Sequence, residues 1–567
     1  MKKILKTVLI TVIILGILTG GAIFLLTRSD DQTNEFVATR RQEQSDQEDK
    51  HAYRFETDSL STPLAREGED KNVLNFDSNQ PFTIANSQAS RERLNRLIRR
   101  MDATFEKPII AYDPFGTMPN TYYFYFKTTY NCMVKYTVTV EDEKVTDHIR
   151  YVNNGAVKNM TNEHEFTVGG LIPGMTNYIV VELVDENGSH REDITYKAEV
   201  PPVSQPTKLS YERGKSDLQL QNGLFFLMPK EDPRIYIYDN NGMMRGVIAT
   251  ESAHGRRIYQ TDSRIVYQVS PTRVIRCNRL GEIDGVALIA GVGEIIDFSY
   301  DGYENIFALT RDKNRYYLVR CSMKDNVARQ VFTFDKKMVP TSLSSVTGGN
   351  LYVSMAAPTG IMRIDGLMST RPRVGLVVGL KNDWKKTSVK KKVADPTVTE
   401  KPGEDGKDNK KSDEETDETK DSADTGSVTE GTDDTAATGA SVDVDVKEPP
   451  ILGWDMSNTI LNLVEDESDG KTDTLTFGVV KDRLVHAVKC QIERKKKKAT
   501  LLLDKEIEFE GQVVVQWGAR ESCVVANLVR GRYEERDEDF KVTREFTYDE
   551  PMVGLWKCSL EGFCFFI

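Results

Sequence analysis

The chain has 567 residues, 29% of them charged, and a formal net charge of −12. That balance argues against nucleic acid as a partner, although the excess carboxylates are concentrated in one segment and say little about a binding face, and the length exceeds one ordinary core, so two or three domains with linkers are expected. The seven cysteines (Cys132, Cys277, Cys321, Cys490, Cys523, Cys558 and Cys564) have no short metal-type spacing, which argues against a zinc site and a dense disulfide framework while leaving room for an isolated bridge.

Residues Thr7 to Thr27 run without a charge after Lys2, Lys3 and Lys6, enough helix to cross a bilayer core. A cleaved signal peptide is the other reading, but no A-x-A site precedes Arg28 and no lipobox cysteine follows. The lysines before the span predict a cytoplasmic amino terminus, a single-pass protein of the cell membrane, and an extracellular bulk. Residues 1–28 are thus read as cytoplasmic tip and anchor, and 29–84 as a polar, charge-mixed stalk. Residues 85–106 are expected to hold an amphipathic helix, because Leu94, Leu97, Ile98 and Met101 fall at i, i+3, i+4 and i+7 opposite a basic face. The stripe suits docking on the body; a dimer contact or anionic headgroups would suit the arginines.

Residues 107–202 change to short alternating runs, among them TYYFYFKT, MVKYTVTVED, TNYIVVELVDENG and ITYKAEV, separated by DPFG, NNG, PGMTN and ENG. That pattern predicts a small antiparallel β-sandwich of fibronectin-like type. From residue 207 to 567 the chain repeats. An apolar strand followed by a polar turn former recurs at Asp239, Asn278, Ser322 and Asp365, and again at Glu493 and Asp539, with steps of about 40 residues. This is the size of a four-stranded propeller blade, and six blades are expected. Residues 385–449 interrupt the repeat with lysines and then DEETDETKDSADTGSVTEGTDDT, lacking any aromatic, Leu, Ile or Met. Such a segment cannot bury enough surface to offset its ordering entropy and is expected to be a disordered insertion. It also lacks the spaced D-x-D-x-D-G of a calcium loop.

The order of a leader, a β-domain with AYDPFGTMPNT and GLIPGMTNY, and a six-bladed propeller with IMRIDG, VVGLKNDW, AVKCQIE, VVQWG and GLWKCSL resembles the bacterial aryl-sulfate sulfotransferases. The resemblance spans roughly Lys107 to the carboxyl terminus. It implies sulfuryl transfer between phenols without a nucleotide cofactor, through a histidine nucleophile, a second basic group as proton acceptor and cationic groups on the sulfate oxygens, all facing the central channel.

Where that family has a His-His-Asp run, this chain has Ile295, Ile296 and Asp297. Where it has a His-x-Asn-Ser run, this chain has Ser342, Leu343, Ser344 and Ser345, and Ala356 stands for an arginine. The nucleophile is expected near Trp454 or Asp455, and no histidine lies between His254 and His486. His51 falls in the stalk and His148, His164 and His190 in the β-domain, so His254 and His486 are the weak catalytic candidates if the chain is active. No G-x-S-x-G elbow, P-loop, H-E-x-x-H or Cys-x-x-Cys is present, and neither a cofactor nor a metal is expected. The sequence therefore predicts an all-β protein: transmembrane anchor, fibronectin-like sandwich and six-bladed propeller. Its expected partners are the membrane through Thr7 to Thr27 and a small phenolic or glycan ligand or an envelope protein. A non-catalytic binding role is the first reading, and an aryl-sulfate sulfotransferase with a rearranged site is the alternative.

Overall fold

A computed structural model describes residues 73–75, 82–152, 160–216, 223–379 and 462–559, apart from short loop positions within the last two stretches. The expected span Thr7 to Thr27, most of the stalk and the insertion 385–449 lie outside them. Among the described residues no helix is long and apolar enough to cross a membrane.

The helix Ile84–Arg100 opens at Thr83, whose Oγ1 accepts from Asn86 N at 3.2 Å, and ends with Arg99 and Arg100 over its carbonyl end. It is shorter than the expected 85–106. Met101 turns extended, and Lys127 N donates to Ala103 O (2.9 Å), so the chain leaves the helix to run along the sandwich. Leu94, fully buried, packs with Leu97, Ile98 and Met101 against Ile109, Ala111, Tyr123 and Tyr125 and against Leu280 of the larger body. Burying Leu94 alone is worth about 1.5–3 kcal/mol. The stalk also needs a correction: Val73–Asn75 pairs in parallel with Ile110 to Tyr112, because that strand otherwise offers unpaired edge amides and carbonyls.

TYYFYFKT and MVKYTVTVED, read as separate strands, form one 18-residue strand, Tyr122–Thr139. Its first half pairs with Ile109–Tyr112 and Thr161–Val168, and its second half with His148–Val152 and Thr176–Val184. The strand thus passes from one sheet of the sandwich to the other, and the ladder breaks between Lys127 and Cys132. No glycine or proline lies between the two runs to form a turn, so a bend is enough. Phe124, Phe126, Cys132, Val134, Tyr136 and Val138 face the core between the sheets, while Tyr123 and Tyr125 face the helix.

The described residues of 223–559 build six antiparallel sheets, here I to VI in chain order, in a propeller-like arrangement. In sheets II, III, IV and VI the first strand is the inner one. Sheet I is completed from the far end of the chain, with Met552–Ser559 pairing along Gly223–Pro229 as its inner strand, and Ser210–Arg213 adds a fifth, outer strand to sheet VI. Met552–Ser559 touches the inner strands Ile258–Thr261 of sheet II and Val513–Trp517 of sheet VI, which closes the ring.

The repeated polar residue stands at the end of the third strand and shapes the turn that follows. Asp239 Oδ1 accepts from Asn241 N (2.8 Å) and Met243 N (3.0 Å), and Asn278 Oδ1 from Leu280 N (2.9 Å) and Glu282 N (3.1 Å). In sheet VI this residue is Asp537, not Asp539: Asp537 Oδ1 accepts from Lys541 N (2.9 Å), whereas Asp539 Oδ2 accepts from the Lys541 side chain at Nζ (3.2 Å). The turns of sheets I and II carry the sandwich and helix. Arg245 Nη2 donates to Thr146 O (2.6 Å), Thr117 Oγ1 to Gly281 O (2.7 Å) and Ile283 N to Ser87 Oγ (2.8 Å), while Arg91 pairs with both Glu165 and Glu282.

Candidate functional site

The positions carried over from the resemblance converge where sheets II, III and IV meet. The inner strand Glu294–Tyr300 of sheet III bulges between Ile295 and Asp297, which re-aims the following side chain. Asp297, 2% exposed, accepts at Oδ1 from Arg257 Nε (3.0 Å) and Phe298 N (2.9 Å) and at Oδ2 from Leu343 N (2.8 Å). Arg257 precedes the inner strand of sheet II and Leu343 ends that of sheet IV, so one carboxylate joins three sheets.

Arg257 is itself 1% exposed. Burial opposes its charge, and the attraction of Asp297 with a contribution from Tyr259 outweighs it, so the guanidinium is held above its ordinary pKa. Its carbon lies 5.9 Å from the ring centre of Trp556, on the inner strand of sheet I, and its Nη2 is buried with no hydrogen-bond partner among the described residues.

Around this pair the carried-over residues support the fold. Ile295 is buried with Phe298 and Val319, and Ile296 packs against the core that holds Leu343 and Met355. Ser342 and Ser354 face each other across the ladder with their hydroxyls 2.9 Å apart, and Thr341 Oγ1 is 2.6 Å from Ser354 Oγ. Ser344 Oγ accepts from Tyr352 N and donates to Ser345 O, both at 2.9 Å. Ala356 is half-buried on the strand Leu351–Ala357.

The histidines are dispersed. His486 is buried on the third strand of sheet V, with Nδ1 2.7 Å from Asp504 Oδ1, while the carried-over residues occupy the inner two strands of sheets III and IV. His254, Trp454 and Asp455 lie outside the described residues. His164 is buried 3.4 Å from Cys132 Sγ, and desolvation pulls its pKa down to about 4. His148 is also pushed down, by burial and then by Arg150 and Arg245, whereas His190 is exposed beside Glu182 and Asp193. The six described cysteines are buried; burial raises Cys321 to about 11 and Cys490 to about 12, so neither is a ready thiolate. Among the described residues no group of three His, Cys, Asp or Glu is placed to hold a metal ion.

Three residues of this region were missed from sequence. Arg257 stands in HGRRIY, where attention falls on the histidine, and Trp556 and Lys557 stand in GLWKCSL, read only as framework. Lys557 Nζ is 2.6 Å from Glu535 Oε2, burial lowers its pKa, and Gln516 holds its backbone from sheet VI at both N (2.6 Å) and O (2.8 Å).

The sandwich that sits beside this ring has a known relative. Residues 109–201 match the arylsulfotransferase Ig-like domain. In this Ig-like domain the loop AYDPFGTMPNT reaches the ring: Thr117 docks on Gly281, and Asp113 Oδ1 accepts from Met118 N (3.1 Å) to hold the loop. Burial raises the Asp113 carboxyl to about 6 against the pull of those backbone donors. No curated protein sequence matches the chain. Solved structures overlap it at low identity, among them the nidogen/laminin complex (11% identity, 60% of this chain and 99% of that one, TM-score 0.33). Virginiamycin B lyase from Staphylococcus aureus overlaps at 11% identity (63% and 96%, TM-score 0.31), and TolB from Acinetobacter baumannii at 8% (69% and 81%, TM-score 0.32). At these TM-scores the overlaps carry no argument about this chain.

Proposed function

We propose that the chain is a membrane-anchored, extracytoplasmic arylsulfotransferase-like protein whose propeller-like body binds a small phenolic or glycan ligand, or an envelope protein, without transferring a sulfuryl group. Support comes from the arylsulfotransferase Ig-like domain at 109–201, from the uncharged run Thr7 to Thr27, and above all from Asp297. Its oxygens are engaged by Arg257, Phe298 and Leu343, as a joint between sheets requires. Transfer by double displacement needs a nucleophile to carry the group and a base beside the acceptor. The residues around Asp297 are instead two isoleucines and serines whose hydroxyls are buried and hydrogen-bonded. With Nε committed to Asp297, Nη2 of Arg257 beside the Trp556 ring is the group left to meet an aryl anion.

The purified full-length protein should release no more phenol from a chromogenic aryl sulfate than a heat-killed control, with or without a phenolic acceptor, while phenyl sulfate binds by calorimetry and Arg257→Met weakens it. Acceptor-dependent release that disappears in His254→Ala or His486→Ala would establish the alternative, an active sulfotransferase with a rearranged site. Digestion of the bulk of the chain by protease added outside intact cells tests its placement; full protection would refute it.

A further inference from the structure

We propose that the turn end of sheet IV is a second binding site, independent of the central cluster, that takes an anionic sugar through Arg371 and Arg373. A groove of about 490 Å3 lies there, lined by Asn350, Arg363, Asp365, Ser369, Arg371 and Arg373 with Gly366. That volume falls within the range of sites for small ligands, roughly 300–1,000 Å3.

The groove is built before any ligand arrives. Asn350 ties its two turns together: Oδ1 accepts from Gly366 N and Nδ2 donates to Gly348 O, both at 3.1 Å, while Leu367 N reaches Gly349 O at 2.8 Å. Arg363 is buried, with Nε 3.0 Å from Asp365 Oδ1 as an ion pair and its guanidinium over the Tyr352 ring at 5.8 Å. Ser369 Oγ accepts from Arg371 N (3.2 Å) and fixes the start of the strand Arg373–Gly379. Gly375 leaves room for the Asp365 carboxylate, since a Cβ there would lie 2.0 Å from Oδ2 unless that side chain moved.

Charge and lining identify the occupant. Arg363 is neutralised by Asp365, but Arg371 and Arg373 are exposed, and among the described residues neither guanidinium has a hydrogen-bond or ion-pair partner. Two exposed guanidinium forks two residues apart, without partners among the described residues, suit a phosphate, sulfate or carboxylate oxyanion. The groove presents no aromatic or aliphatic side chain to hold an aryl ring. The second N–H of the Asn350 amide and the Asp365 carboxylate instead suit the hydroxyls of a sugar, while the Ser369 hydroxyl is taken up by Gly366 O and Arg371 N. By strand order the groove lies at the same end of its sheet as the turns of sheets I and II that carry the sandwich.

Full-length protein is titrated with glucose 6-phosphate, glucose 6-sulfate and glucuronate, and with glucose and inorganic phosphate as controls, by calorimetry at low and physiological ionic strength. At least one sugar anion should bind more tightly than glucose and inorganic phosphate, and the best of the three names the oxyanion. Arg371→Ala and Arg373→Ala, both on exposed side chains, should each weaken it about ten-fold, with melting temperature unchanged. Binding of inorganic phosphate as tight as that of every sugar anion, affinities untouched by either variant, or no binding of any probe would overturn the assignment.

Discussion

Arg257→Met removes the counter-ion of Asp297 and leaves a carboxylate, 2% exposed, with only the backbone N–H groups of Phe298 and Leu343. Breaking a buried ion pair in this way costs about 3–5 kcal/mol, because the surviving charge is desolvated and unpaired. Asp297→Asn should cost a similar amount by stranding the guanidinium. The double variant removes both charges, and the Asn carbonyl still accepts from one N–H, so its loss should be smaller than the sum of the two single losses by a coupling of about 2 kcal/mol or more. For a body of this size each kcal/mol moves Tm by roughly 2 °C, so each single variant should melt roughly 6–10 °C below the parent. Differential scanning calorimetry of the full-length chain at pH 7 measures all four proteins. Single variants within about 1 °C of the parent, or strictly additive losses, would refute the view of Asp297 as a joint between sheets. Loss of an aryl sulfotransferase activity in Asp297→Asn at unchanged Tm would make it a catalytic group instead.

Asp113 binds its proton more tightly in the fold, at about 6 against 3.8 for the free carboxyl, so the stability it contributes is full below about pH 4 and is lost as pH rises to about 6. Asp113→Asn should therefore raise Tm at pH 7, by at most the equivalent of about 3 kcal/mol, and change little at pH 4; an equal gain at both pH values would contradict this origin. His164 shifts the other way, from 6.5 down to about 4, so its contribution is full above pH 6.5 and is lost as pH falls toward 4. His164→Leu should make Tm less steep against pH in that window, and an unchanged slope would exclude His164 as the cause. Asp537→Ala removes the acceptor for Lys541 N and Ser216 Oγ and should cost about 1–3 kcal/mol by urea unfolding, whereas Asp539→Ala should cost under about 0.5; equal losses would contradict the turn assignment.

Much of this protein was legible because the signals were local. The stripe Leu94, Leu97, Ile98 and Met101 recurs at helical period, the sandwich runs alternate at period two, and the turn formers Asp239, Asn278, Ser322 and Asp365 mark the ends of third strands. Each pattern lies within a few residues, where side-chain direction follows directly from backbone geometry. The slip from Asp537 to Asp539 has the same origin, since two acids in one acidic turn look alike until one of them accepts the turn's N–H groups.

The site was less legible because it is made of distant pairs. Ile295, Ile296, Asp297, Ser342, Ser344 and Ala356 could be located by resemblance, but nothing in the string shows that Arg257 reaches Asp297 across 40 residues or that Leu343 reaches it across 46. Closure of the ring by Met552–Ser559, the passage of Tyr122–Thr139 between two sheets and the gathering of Arg371 and Arg373 around one groove are likewise decisions of packing. The sequence by itself determined the class of element at each place, through periodicity and turn chemistry. Only the tertiary structure decided which charges meet, because a buried charge takes whichever partner the folded backbone brings within hydrogen-bond reach, however far away in the chain that partner lies.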